Sequence, residues 1–336
     1  MNKIKIGQIG AGHDHAGEIM RTLKKYPDVF DLAGYAVPDD DFIAAPKQYE
    51  GVNRLSVDEL LSVPGLQAVA VETNELSLTK YAIMAAERGI GVHMDKPGGI
   101  ILSDFEKLVE IVKGNGAVLH TGYMYRYNPA VIRLLERIKQ GELGEIFSVE
   151  AHMDCAHSAV KREWLGQFPG GMMFFLGCHL IDLVLLIRGM PDEIIPFNSA
   201  TGIGGTSAED YGFAVLKYGN GVSFVKTCAA EVGGYMRRQL VVTGSKGSVQ
   251  LMPIEAMVDF GRTTDIYTGV RECLDTSRSW WNDGFRYMTH AFDRYEAMMR
   301  GFASYVSGEK ENPFSPDYEL SVYKALLHAC GVKNDA

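Results

Sequence analysis

The chain of 336 residues carries a formal net charge of -9, with 22% charged and 46% hydrophobic residues. This length favours two domains over a single core, and the composition is that of an ordinary globular protein. The acidic balance and the scattered basic residues argue against nucleic acid or a membrane surface as a partner. No apolar run is long enough for a membrane span, no signal peptide precedes the first strand, and the five cysteines are widely spread. We therefore expect a cytoplasmic protein with reduced thiols.

Short apolar runs alternate with helical patterns over residues 1–122. The pattern predicts strands at 3–9, 31–37, 67–71, 91–94 and 117–121, and helices at 15–26, 76–88 and 103–113. Strands separated by helices indicate βαβ units and a parallel sheet. Residues 1–122 are thus predicted to form an α/β, doubly wound dinucleotide-binding domain of the Rossmann type.

The pattern changes in the second half of the chain. Strands are predicted at 145–154, 211–218, 222–229, 239–243 and 248–251, and helices at 285–307 and 316–329. Two hairpin turn signals join neighbouring strands, which indicates antiparallel pairing. Residues 123–336 are therefore predicted to be an α+β domain, with a C-terminal helix that packs back on the first domain.

A glycine-rich turn lies directly between the first predicted strand and helix. Gly10 allows a tight turn, and Gly12 lets the backbone at Ala11 and Gly12 approach a pyrophosphate at the helix N-terminus. His15 stands where the third glycine of the fingerprint is usual. His13 and His15 without a nearby carboxylate or cysteine make a poor metal site, so no metal is expected. They are interpreted as cofactor or substrate contacts, or as plain packing.

An acidic side chain after the second strand is the next feature expected of a dinucleotide site. Asp39 begins a run of three aspartates, slightly later than usual, with Val37 in the customary place. Three carboxylates would repel a 2′-phosphate, so NAD is favoured over NADP; the alternative is a solvated turn. Thr73 and Asn74, after the strand at 67–71, are also assigned to the cofactor.

Two further positions carry candidate chemistry. Lys96 ends a parallel strand at the carboxyl edge, where doubly wound folds bind ligands, and can stabilise developing negative charge on an oxygen. His179 and Asp182 lie one turn apart on a predicted helix face, which suits an imidazole held for proton transfer. A strand-terminal lysine can equally be an exposed surface group.

Several motifs occur together in a familiar order. They are the glycine turn, Asp95-Lys96-Pro97, the segment 122–129, the segment 170–182 and the strand-turn-strand segment 242–248. In this the chain resembles the Gfo/Idh/MocA family of oxidoreductases, over nearly its whole length. The resemblance implies an N-terminal Rossmann domain and a C-terminal domain with a large, mainly antiparallel open sheet, often used to form a homodimer or homotetramer. It also implies NAD(P)-linked hydride transfer to or from a sugar, cyclitol or related polyol.

The same resemblance implies roles for individual residues. Lys96 matches the lysine that contacts cofactor and substrate, His179 the catalytic histidine and Asp182 the acid one turn later. Trp164 resembles a tryptophan close to the cofactor or substrate. Tyr125 and Arg126 fall near the substrate in this resemblance. The structural alternatives are that Tyr125 is a buried aromatic residue and that Arg126 links the two domains.

One position departs from the family pattern. Phe175 replaces an acid that usually lies two residues before Gly177 and joins the proton network. Two alternatives therefore remain open beside a dehydrogenase. One is a glycosidase or lyase that uses tightly bound NAD as a recycled redox cofactor, and the other is a regulator that binds NAD and a sugar without turnover.

Overall fold

The computed structural model describes residues 3–259, 264–274, 277 and 280–332. The chain divides into two compact units. The first comprises Met1–Met124 and Tyr295–Ser321, and the second comprises Tyr125–Arg294 and Val322–Ala336.

A parallel six-stranded sheet forms the centre of the first unit, in the order β3-β2-β1-β4-β5-β6. Its strands are β1 (Ile4–Ile9), β2 (Phe30–Ala36), β3 (Arg54–Leu55), β4 (Ala68–Val71), β5 (Gly91–Met94) and β6 (Leu119–Thr121). The chain leaves β1 toward β2 on one side and later returns to β4 on the other, so the strand order reverses at β1. Ligands of such sheets bind at the carboxyl ends beside this reversal. The predicted doubly wound parallel fold is confirmed.

Helices connect these strands and bury apolar side chains against the sheet. They are α1 (Ala16–Lys25), α2 (Val57–Leu61), α3 (Leu78–Ala86) and α4 (Leu102–Asn115). The buried residues of α1 include Ile19, Met20 and Leu23, which recur at the spacing of one helix face. The fold thereby fixes the N-terminus of α1 next to the glycine turn that follows β1.

A large mixed sheet dominates the second unit, in the order β16-β15-β12-β11-β7-β10-β9-β8. Its strands are β7 (Ile146–Asp154), β8 (Glu193–Pro196), β9 (Tyr211–Tyr218), β10 (Gly221–Cys228), β11 (Gln239–Gly244), β12 (Gly247–Leu251), β15 (Gly269–Cys273) and β16 (Phe285–Met288). Strands β7 and β10 pair in parallel, whereas the other neighbours in this sheet pair antiparallel. The predicted α+β unit with a mainly antiparallel sheet is confirmed.

Smaller elements complete the described chain. A three-stranded sheet contains β13 (Ala256–Met257), β14 (Asp265–Tyr267) and β17 (Phe292–Asp293). The remaining helices are α5 (Pro129–Lys139), α6 (Ala159–Trp164), α7 (Cys178–Arg188), α8 (Glu296–Val306) and α9 (Pro316–Ala329). Among the residues described, no helix is both long and apolar enough to cross a bilayer.

The helix predicted over residues 285–307 is wrong in about its first half. Residues 285–288 form strand β16, and the helix begins only at Glu296. Strand β16 pairs antiparallel with β15, with Tyr287 opposite Val270. Because this pairing joins distant parts of the chain, local pattern alone does not reveal it.

Candidate functional site

The glycine turn of the first unit has the backbone that a close-approach loop requires. Gly10 has a φ of 92°, and a Cβ there would lie 2.3 Å from the backbone nitrogen of Thr73. A Cβ on Gly12 would lie 2.2 Å from Oδ1 of Asp41. Both positions therefore exclude larger residues, as the sequence fingerprint requires. Thr73 is fully buried at this crossing.

Backbone amides of this turn bind a carboxylate of the protein itself. Oδ2 of Asp41 accepts hydrogen bonds from the amides of Ala11 at 2.8 Å and Gly12 at 3.2 Å. Its Oδ1 accepts the amide of Asn74 at 3.1 Å. Three amides from two loops thus converge on one anionic group, which is the donor set that a phosphate or a ribose-binding acid would use.

The three aspartates after β2 have different surroundings. Asp39, the residue assigned to the cofactor from the sequence, is exposed. Asp40 accepts hydrogen bonds from Tyr81 at 2.7 Å and from Lys80 at 2.9 Å. Although burial opposes ionisation, these donors hold the pKa of Asp40 below its usual value. The structure therefore places Asp41, and not Asp39, against the glycine turn; the role of Asp39 stays a prediction.

Two histidines and an aspartate meet at the carboxyl edge of the same sheet. Oδ2 of Asp95, just after β5, lies 3.1 Å from Nδ1 of His13 and 3.0 Å from Nδ1 of His15. Although burial opposes ionisation, the two histidines hold the pKa of Asp95 well below its usual range. Burial lowers the pKa of His15, whereas Asp95 overcomes burial and raises that of His13. The statement that these histidines lack a carboxylate partner is thus wrong.

Further buried groups surround this cluster. Glu72, which directly follows β4, is fully buried. Its pKa is raised well above the usual value, mainly by burial and also by the nearby Asp95. His93, on β5, has its pKa lowered to about 4 by burial. Oε1 of Glu75 lies 3.7 Å from Nε2 of His13. The sequence order hides this grouping, but parallel strands that end at one sheet edge could have revealed it.

Lys96 lies in the same unit, directly after Asp95. Its side chain is buried at 1% relative exposure, so it is not a surface lysine. Its backbone amide donates to Oδ1 of Asp95 at 2.7 Å. A buried ammonium at the carboxyl end of β5 is rare outside functional sites and ion pairs.

The second unit contains His179 and Asp182, both buried on α7. Oδ1 of Asp182 accepts from Nη2 of Arg126 at 2.7 Å and from Nε at 3.0 Å, and Nε also lies 3.0 Å from Oδ2. The ring of Tyr125 meets the imidazole of His179 edge-on, with centroids 5.0 Å apart. Helix α7 and the segment before α5 thus bring four predicted residues together within one unit.

Aromatic side chains surround the position where the family acid is replaced. Phe175 is buried, and its ring lies edge-on to Trp164 with centroids 5.4 Å apart. Nζ of Lys161 lies 3.6 Å from the centroid of the Trp164 ring and 4.9 Å from that of Phe175. The ammonium of Lys161 therefore forms a cation–π arrangement with the aromatic pair Trp164 and Phe175.

Comparisons with known proteins agree with this architecture. Residues 131–250 match the profile of the GFO/IDH/MocA C-terminal domain. The uncharacterized oxidoreductase YhhX of Escherichia coli K12 is 29% identical over 192 residues, 57% of this chain and 54% of that protein. Myo-inositol 2-dehydrogenase of Thermotoga maritima is 26% identical over 73% of this chain and 74% of its own length. The first of these relatives is thus matched over only about half its length.

A solved structure extends the likeness to the whole fold. The aldose-aldose oxidoreductase of Caulobacter crescentus, complexed with glycerol, superposes with a TM-score of 0.80 at 17% identity, covering 98% of this chain and 97% of that one. The named relatives are oxidoreductases, and the solved structure shares the two-unit fold. These matches support the assignment to the Gfo/Idh/MocA family that the motifs suggested.

Proposed function

We propose that the protein is a nicotinamide-dependent dehydrogenase that transfers a hydride to or from a carbinol carbon of a sugar, cyclitol or related polyol. The observation that carries this proposal is the glycine turn whose amides at Ala11 and Gly12 hold the anionic group of Asp41. An amide set that binds one anion suits a dinucleotide, which presents anionic and hydroxyl oxygens. The printed names of the inositol dehydrogenase and aldose oxidoreductase relatives support the substrate class.

The residues of the first unit would hold the cofactor. Gly10, Ala11 and Gly12 would contact the pyrophosphate, with Thr73 and Asn74 at the neighbouring strand end. Because the pyrophosphate would take the two amides that Asp41 occupies, the carboxylate of Asp41 would turn to accept a ribose hydroxyl beside the glycine turn. That negative charge favours NAD over NADP. When bound, the nicotinamide ring supplies the hydride acceptor or donor.

The protein's own residues would manage the proton and the charge. His179 would accept the proton of the substrate hydroxyl as a general base. Asp182 forms an ion pair with Arg126, and this pair would fix the orientation of the face of α7 that carries His179. Lys96 would donate a hydrogen bond to a substrate oxygen and stabilise its developing negative charge. Tyr125 packs on the imidazole and would restrict its rotation.

Phe175 favours a second candidate function. An aromatic side chain cannot take a proton, so a reaction in which tightly bound NAD is recycled, as in a redox-assisted glycosidase or lyase, is the alternative. The same substrates distinguish the two, because a recycled cofactor produces bond cleavage without net NADH.

The test measures nucleotide and turnover separately. Purified protein is denatured gently and released nucleotide is identified by mass spectrometry, and NADH absorbance is followed on a panel of polyols and sugars. Exchangeable NAD and NADH accumulation on one substrate class would support the dehydrogenase. His179→Ala should then abolish turnover and leave NAD affinity nearly intact. Stoichiometric NAD that does not exchange, with no net NADH, would overturn it in favour of the second candidate or a regulator.

A homodimer or homotetramer is part of the proposal. Three phenylalanines lie in a row at the large sheet: Phe213 on β9 is in ring contact with Phe224 on β10 and with Phe197, which directly follows β8. Phe197 is 54% exposed. An apolar row on an open sheet suits a subunit interface, and light scattering after gel filtration measures the assembly.

A further inference from the structure

Three side-chain donor atoms lie together beside the glycine turn, in the first unit. His13, His15 and Asp95 each contribute one ligand atom, a ring nitrogen or a carboxylate oxygen, and the three atoms lie within 4.8 Å of one another. The two nitrogen-to-oxygen separations are 3.1 Å and 3.0 Å. Around an ion with bonds of about 2.0–2.1 Å, ligand atoms lie about 3.3 Å apart in a tetrahedron and about 2.9 Å apart in an octahedron. The two nitrogen-to-oxygen separations therefore match the spacing of ligand atoms around such an ion.

Rigid elements hold each of the three donors. His13 follows the glycine turn, His15 directly precedes α1, and Asp95 directly follows β5. Oδ1 of Asp95 accepts the amide of Lys96 at 2.7 Å, which turns Oδ2 toward both imidazoles. A Cβ on Gly122 would lie 2.9 Å from Oδ1 of Asp95, so the neighbouring strand end also confines the carboxylate.

The charges around the three donors leave room for a divalent cation. Glu72, Glu75 and Asp95 are buried carboxyl groups, at 0%, 4% and 1% relative exposure. The buried ammonium of Lys96 compensates part of this carboxylate charge, and a divalent cation would compensate more. Buried charges require such compensation. Glu75 also approaches Nε2 of His13, the position of the outer carboxylate in carboxylate–histidine–zinc arrangements.

We propose that His13, His15 and Asp95 bind one divalent transition-metal ion of the zinc type. Two imidazoles and one carboxylate are a common donor set for such ions and leave further coordination positions open. The open side faces His15, whose side chain is 16% exposed while those of His13 and Asp95 are at 0% and 1%. The proposed hydride transfer needs no metal, so metal binding can be measured separately from it.

The test loads the full-length, untagged protein with metal and without nucleotide or substrate. Protein stripped with chelator is mixed with Zn²⁺ or Co²⁺, passed through a desalting column and analysed for metal by mass spectrometry. Binding of about one ion per chain is expected, with visible absorption bands for Co²⁺. His15→Gln should lower the metal affinity about 100-fold or more, and Glu75→Gln about tenfold. His328→Gln, which removes an exposed imidazole of α9, is the matched control and should bind as the wild type does.

Two outcomes would overturn the metal site. One is a wild-type chain that retains no Zn²⁺ or Co²⁺. The other is equal uptake by the wild type and His15→Gln. Circular dichroism verifies the fold of each variant. His15→Gln is the decisive variant for the metal site, because the side chain of His15 is the least buried of the three ligands and its replacement should disturb the fold least. Since no turnover is measured, a failed metal site leaves the proposed dehydrogenase untouched.

Discussion

The carboxylate of Asp182 and the guanidinium of Arg126 form a bidentate ion pair in which both side chains are 1% exposed. The acid one turn after His179 is therefore held from outside its own helix. Such a pair stabilises only while both partners are present, because a single buried charge is left without compensation.

Asp182→Asn should lower the free energy of unfolding by about 3 kcal/mol, because it removes the carboxylate charge that compensates the buried Arg126 guanidinium. Urea unfolding followed by circular dichroism measures the change. The control is Asp58→Asn, which breaks an exposed pair with Arg88 and should change stability by at most about 0.5 kcal/mol. Equal effects of the two substitutions would contradict a structural role for the buried pair.

Lys96→Met should lower kcat about 100-fold or more with little change in KM, because the ammonium would act on charge that develops in the transition state. Steady-state kinetics on the best polyol substrate give both constants. Lys107→Met, on an exposed position of α4, is the control and should behave as the wild type. A change confined to KM would show that Lys96 only binds substrate.

Asp41→Ser should raise the ratio of kcat/KM for NADP to that for NAD about tenfold, or 1.4 kcal/mol. The reason is that it removes the negative charge held against the amides of Ala11 and Gly12. Parallel kinetics of Asp39→Ser test the residue chosen from the sequence. A larger shift for Asp39→Ser than for Asp41→Ser would return the role to Asp39.

Glu255 predicts a pH dependence of stability. It is fully buried in the second unit, with Nη2 of Arg294 at 2.6 Å and Arg238 also bound. Although burial raises the pKa of Glu255, the two arginines lower it below the usual value. Its contribution is thus complete above the pKa of an unfolded glutamate, about 4.3, and is lost as pH falls through the lower folded pKa.

The corresponding variant is Glu255→Gln. It should be less stable than the wild type at pH 7, and the difference should shrink as pH falls below about 4. Thermal unfolding at a series of pH values measures this. A difference that is constant over the acid range would show that the carboxylate charge contributes nothing.

Local pattern was sufficient for the elements that bury continuous apolar runs. Strands β1, β4 and β5 and helix α4 lie close to their predicted positions, because their side chains repeat at strand or helix spacing. Strand β16 was missed, since its stabilisation comes from pairing with β15, a strand that precedes it by more than ten residues. Contacts of this kind are absent from the local sequence.

In the candidate site, too, some residues could be predicted from local motifs, whereas others are brought together only by the fold. The glycine turn, Lys96 and His179 could be named from motifs, each within a short segment. The meeting of Asp95 with His13 and His15 depends on the sheet order, which places β4 and β5 beside β1. Likewise, the choice of Asp41 over Asp39 depends on how the turn after β2 folds onto the glycine turn.

The placement of β7 has a consequence for synthesis on the ribosome. In the large sheet, β7 lies between β10 and β11, both of which follow it much later in the chain. A nascent chain must therefore keep one hydrogen-bonding edge of β7 without its native partner until Cys228 has emerged, and the other until Gly244 has emerged. Exposed strand edges pair readily with other chains. Fragments that end before β10 should consequently aggregate, whereas release of the complete chain allows the sheet to close around β7.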